Sequence, residues 1–151
     1  MINANRNVET AKRVEENVAF ALEKSLSVGV IMMPEFSKFD YLITRPGDNG
    51  FKKAVAIAEF RHRPDVRMNQ YDTVFLDKQK VTKMQECAEA MCLPALFIVK
   101  WMQDVPRWID INGFTGSRMM KRRVEERSGD RSMDVCLYPT NRFKPLMLKG
   151  E

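Results

Sequence analysis

Apolar side chains recur at helical spacing from Val8 to about Leu26, where Val8, Ala11, Val14, Val18, Ala19, Leu22 and Leu26 form one stripe. Glu15 falls inside that stripe, so a carboxylate points toward the core side and needs a partner or a task. A loop containing VGVIMMPEFSK follows. The aromatic and branched run at 39–44 reads as a strand, RPGDNG as a turn, and 51–63 as a long second strand, together a hairpin. Strand alternation places Glu59 and Arg61 on one face with Val55 and Ile57, while Ala58 and Phe60 look the other way.

Beyond a polar connection at 64–73, VFL is a short strand and Asp77 is the expected N-cap of a second helix. That helix carries Val81, Met84, Cys87, Ala88 and Met91 on one side and stops before Pro94. The runs 95–101 and 107–111 predict a second hairpin. The charged segment 116–132 reads as a solvated helix or a long loop, and 133–139 as an added edge strand. The element order predicts a single α/β domain with a central mixed sheet of four or five strands flanked by helices. Its core is expected over about 8–111, with a charged extension over 112–151.

Composition narrows the function classes. Of 151 residues, 44% are hydrophobic and 30% charged, a globular balance that argues against wholesale disorder and against a membrane protein. The net charge of +5 favours a polyanionic partner. Cys87, Cys92 and Cys136 make an odd count without framework spacing, which suits free thiols in a reducing compartment. A single histidine, His62, argues against a zinc centre. No targeting segment or bilayer-length apolar run is visible, so the expected location is cytoplasmic.

A glutamate and an arginine two apart on a strand are commonly no more than a solvated ion-paired face. Asp40 changes that reading, because it sits between Phe39 and Tyr41 in a strand that otherwise buries apolar groups. Pairing of the two strands brings Asp40 and Glu59 together at the end of the hairpin remote from PGDN, with Glu15 near them. Converging carboxylates repel unless a hard cation joins them, and Mg²⁺ is the natural occupant.

The ordered series of helix, FDYLI, VAIAEFRHR, YDTVFLDKQK and LPALFIVKW resembles the PD-(D/E)XK nuclease superfamily over roughly residues 8–111, and within it the compact nuclease domains of phages. The resemblance implies a restriction-endonuclease-like fold and Mg²⁺- or Mn²⁺-dependent hydrolysis of DNA phosphodiesters. It implies Asp40, Glu59 and the backbone carbonyl of Phe60 as metal ligands, with Glu15 as an acid some members carry. Arg61 stands where the family has lysine; it keeps a positive charge but cannot serve as a base.

Lys80, in the first turn of the second helix, is the candidate substitute, so the expected catalytic set is Asp40, Glu59, Arg61 and Lys80. Arg63, Arg67, Gln79, Arg122 and Arg123 are the expected nucleic-acid contacts, and Tyr71 and Asp72 could shape substrate approach. The alternative reading is a catalytically degenerate module of the same fold that binds DNA or a protein partner. The sequence leaves homo-oligomer formation open.

Overall fold

The computed structural model describes residues 12–20, 22–23, 28–34, 37–113, 118–126 and 129–146, and over 118–126 and 129–132 the backbone path alone. In chain order the elements are α1 (helical residues 12–20 and 22–23), β1 (Gly29–Met32), β2 (Tyr41–Pro46), β3 (Lys52–Arg63), β4 (Thr73–Asp77) and α2 (Lys78–Met91). They are followed by β5 (Ala95–Trp101), β6 (Arg107–Asp110), β7 (Arg118–Glu126), β8 (Gly129–Pro139), a 3-10 turn (Thr140–Arg142) and β9 (Lys144–Pro145).

Two sheets result. Six strands run in the order β1-β2-β3-β5-β6-β9, and three in the order β4-β8-β7. All neighbours in the large sheet are antiparallel except β3 and β5, which lie parallel with Ile57 opposite Ala95 and Glu59 opposite Phe97. A parallel pair needs a long crossover, and β4 followed by α2 provides it. β5 is covered on both faces, which is why its sequence is an unbroken apolar run rather than an alternation.

α1 packs Val18, Ala19 and Leu22 against Tyr41, Ile43, Ala56, Ala58 and Ile98 on one face of the large sheet. On the other face, α2 and the small sheet enclose Ile57, Phe97, Val99 and Trp101 with Met84, Ala88, Leu76 and Tyr138. Phe97 meets Tyr138 and Phe143 edge to face at centroid separations of 5.9 and 5.7 Å, joining the two sheets. Asp77 caps α2 by accepting from the Gln79 amide at 2.9 Å, and Cys92 closes the helix in the left-handed region, φ 55°, two residues before Pro94.

The mixed sheet flanked by helices agrees with the reading of the sequence, whereas several local expectations do not survive. VGVIM is not loop: Gly29–Met32 pairs with β2 as an edge strand. Gly29 faces Thr44 so closely that a Cβ there would lie 2.5 Å from the threonine hydroxyl oxygen, which explains a glycine inside a strand. The segment 116–132 is not a solvated helix or long loop, because β7 and β8 pair as a hairpin from Arg118↔Leu137 to Glu126↔Gly129. The stretch 133–139 is no edge either; β8 is the middle strand of the small sheet. The central sheet has six strands rather than four or five. Val135, Cys136, Tyr138, Phe143 and Leu146 all enter the core, so part of the charged extension is structural.

Among the described residues no helix is long and apolar enough to cross a membrane, and Cys87, Cys92 and Cys136 are free thiols. Tyr71 and Asp72 act in docking the chain: their carbonyls accept from the Thr140 hydroxyl at 3.1 and 3.3 Å. Phe97→Ala, which empties the joint between the sheets, is expected to cost about 3–5 kcal/mol. Urea denaturation would read this as a lower midpoint at unchanged slope.

Candidate active site

The β2–β3 ladder sets the central geometry. Tyr41 pairs with Ala58, and one step further the Asp40 amide donates to the Ala58 carbonyl at 2.9 Å, which places Asp40 across from Glu59. The Asp40 carbonyl accepts from Met33 at 2.8 Å, fixing the backbone there. Asp40 Oδ2 accepts the Phe60 amide hydrogen at 2.8 Å, so the aspartate carboxylate lies against the peptide that joins Glu59 to Phe60. Cross-strand neighbours on one face sit about 5 Å apart at Cβ, and two acids there repel strongly.

Glu59, 15% exposed at its side chain, points to the face covered by α2. Lys80, in the first turn of that helix, brings Nζ to 3.1 Å from Glu59 Oε2 and donates to the Ser37 carbonyl at 3.5 Å. The ammonium and Oε2 form an ion pair. Burial, reinforced by the Asp40 charge, pushes the Glu59 carboxyl up to about 8; Lys80 and Arg61 oppose this only in part.

Glu15, half-buried on α1, is likewise raised, first by burial and then by Asp40. Its backbone carbonyl accepts the Tyr41 hydroxyl at 2.6 Å. The Tyr41 phenol is raised by burial and by all three acids, Glu15, Asp40 and Glu59. The carboxylates therefore share one electrostatic neighbourhood. Among the described residues, however, no three His, Cys, Asp or Glu side chains gather closely enough to cage an ion.

The oxygens that would suit a cation here are those of Asp40 and Glu59, facing across the ladder. These are hard oxygens, and buried Glu59 Oε2 meets the Lys80 ammonium at 3.1 Å. Mg²⁺ commonly takes only one or two protein carboxylates and fills the rest of its shell with water and phosphate.

Arg61, whose charge also opposes the rise of Glu59, reaches toward β4. Its Nη1 donates to the Phe75 carbonyl at 3.2 Å and its guanidinium lies 5.0 Å over the Phe75 ring, with the Arg63 guanidinium at 5.1 Å from the same centroid. Phe75 was missed as a partner because it lies on β4, whose packing over β3 is not a local property of the sequence.

Ser37, Lys38, Asp77, Gln79, Lys80 and Lys83 line a cleft of about 190 Å³ beside the Lys80–Glu59 pair. Gln79 is exposed at its rim and Arg67 lies exposed in the 64–72 turn. Arg122 and Arg123 pair with Met133 and Ser132 on β7, while their side chains lie outside the described residues. Lys38 and Lys83 escaped the sequence reading because only the folded chain puts them beside Lys80.

The Glu59 shift fixes a sign for pH dependence. A carboxyl whose folded pKa, about 8, exceeds its ordinary value of 4.5 contributes stability fully present below about pH 4.5 and lost as pH rises through about 8. Thermal melts in the presence of a chelator should show the parent losing stability over this window relative to Glu59→Gln. Parallel pH profiles for the two proteins would refute the burial of that carboxyl.

Among curated proteins none matches. The solved structure of Archaeoglobus fulgidus Hjc, a Holliday junction resolvase from an archaeal hyperthermophile, is similar at a TM-score of 0.57 and 14% sequence identity, covering 89% of this chain and 90% of that chain. That likeness is one of fold, and it bears out the restriction-endonuclease-like architecture. The family model described as "Phage putative PDDEXK endonuclease" matches residues 4–146, and the resemblance drawn from the sequence motifs is thereby borne out. The chain belongs to this phage PDDEXK endonuclease family.

Proposed function

We propose that the protein is a divalent-metal-dependent nuclease that hydrolyses DNA phosphodiester bonds at the Asp40–Glu59 corner. The observation that carries this reading is the convergence of two carboxylates across the β2–β3 ladder, with the Lys80 ammonium 3.1 Å from Glu59. Burial and the Asp40 charge hold the Glu59 carboxyl back from ionising, and a cation bound between the two acids would favour its charged form.

Asp40, Glu59 and the Phe60 carbonyl would hold Mg²⁺ or Mn²⁺. When bound, the ion supplies an activated water and neutralises charge growing on the phosphate. Asp40 is oriented for this by its hydrogen bond from the Phe60 amide. Lys80 holds a positive charge where a phosphate oxygen would sit and can donate protons from an ammonium with three hydrogens. Arg61 adds a permanent charge from the Phe75 shelf, with its main task the joining of β3 to β4. Lys80 thus takes the chemical part expected of the lysine that Arg61 replaces.

The competing reading, a degenerate module that binds without cutting, rests on that replacement. Plasmid, linear and branched DNA incubated with Mg²⁺ or Mn²⁺ separates the two. Cleavage abolished by chelator and lowered at least about a hundredfold in Asp40→Asn, Glu59→Gln and Lys80→Met supports the nuclease. DNA binding without cleavage under either ion supports the module instead.

Arg61→Lys should leave cleavage within a few-fold of the parent while lowering stability by about 1–2 kcal/mol, since a lysine cannot both reach the Phe75 carbonyl and cover its ring in the same way. A collapse of cleavage in a stably folded Arg61→Lys protein would return the catalytic role to the guanidinium.

A further inference from the structure

The tip of the β2–β3 hairpin carries an arrangement that folding alone does not favour. Arg45 lies directly across the ladder from Lys53, and Pro46 from Lys52. All three cations are exposed, and among the described residues none of them is in an ion pair. Like charges directly opposite on paired strands are destabilising. The one acid in the turn, Asp48, is exposed as well.

The turn is nonetheless firmly built. The Gly47 amide donates to the Phe51 carbonyl at 2.6 Å, the Gly50 amide donates to the Gly47 carbonyl at 3.1 Å, and Gly50 takes the positive φ of 77° that the reversal requires. It displays Phe51 at 77% exposure, the most exposed of the large apolar side chains among the described residues. A facing Arg45–Lys53 pair, with Lys52 beside it on the other face of the turn and an outward aromatic ring, matches the chemistry of a nucleic-acid strand. Phosphates relieve the repulsion, and the ring finds sugar or base surface.

We propose that the β2–β3 hairpin tip is a second nucleic-acid contact, remote from the carboxylate corner, in which Arg45, Lys52 and Lys53 grip backbone phosphates and Phe51 packs against the strand. The proposal rests on the nuclease reading for its ligand class and adds where and how far the substrate is held. By strand alternation Arg45, and Lys53 across from it, share the face of Tyr41 and Ile43, opposite Glu59, so a substrate reaching both passes round the hairpin end, a path of at least about 20 Å or about six base pairs. The tip therefore counts only for substrates long enough to reach from the corner to the turn.

The test is Arg45→Gln/Lys52→Gln/Lys53→Gln made in Glu59→Gln protein, to suppress cutting during measurement. Binding is read by fluorescence anisotropy on a duplex of about 30 base pairs and on a loop-closed duplex of about six, across a salt series. The triple variant should melt at or above the temperature of its Glu59→Gln parent, because it loses a repulsion. It should bind the long duplex at least about tenfold more weakly, bind the short one unchanged, and lower the salt slope by about 2–3.

Unchanged affinity and slope on the long duplex overturn the proposal and leave the tip to an acidic protein surface. Equal losses on both lengths overturn it too, since they would mark a diffuse field rather than a contact. A parent that binds neither duplex, in a protein that also cuts no DNA, defeats the nuclease reading itself.

Discussion

Two carboxylates held face to face across a β ladder are the constraint around which the rest of this molecule is arranged. Asp40 and Glu59 owe their nearness to backbone pairing, and neither can relax away without breaking it. Asp40 is fixed by the hydrogen bonds of its own main chain on both sides and by the Phe60 amide. Glu59 is fixed by β3, which is held on one side by β2 and on the other by β5. The surrounding protein tempers the repulsion instead of removing it, with one ammonium from α2 and a more distant guanidinium. The result is a buried carboxyl that keeps its proton to about pH 8.

A division of labour among the cations follows. In a strand with glutamate and arginine two apart, both side chains share a face, and simple proximity would put the guanidinium at the carboxylate. The aromatic ring of Phe75 and its carbonyl draw it aside instead. The helix that follows β4 then delivers Lys80 to the place left open. Arg61 and Lys80 thus bring positive charge toward Glu59 from two different elements.

The parts legible from sequence were those whose signal is local. β3, β5 and α2 announce themselves through alternation, an unbroken apolar run, and an aspartate cap with helical spacing; their observed bounds lie within a residue or two of the reading. The Asp40–Glu59 meeting was legible because a hairpin turn fixes register over a short span. β1 was hidden by its own Gly29 and Pro34, which punctuate like a loop although Gly29 is there to admit Thr44. β7 and the first part of β8 were hidden by their charge density, and the strand β4 that β8 pairs with lies some sixty residues earlier. The roles of Phe75, Lys38 and Lys83 depend on contacts between elements far apart in the chain.

The second sheet reaches further than its position suggests. Asp77 is at once the last residue of β4, bridged to Val135 of β8, and the residue whose carboxylate starts α2. Lys80 stands three residues beyond it. The placing of that ammonium thus depends on pairing with a strand from the far end of the chain, through one shared aspartate.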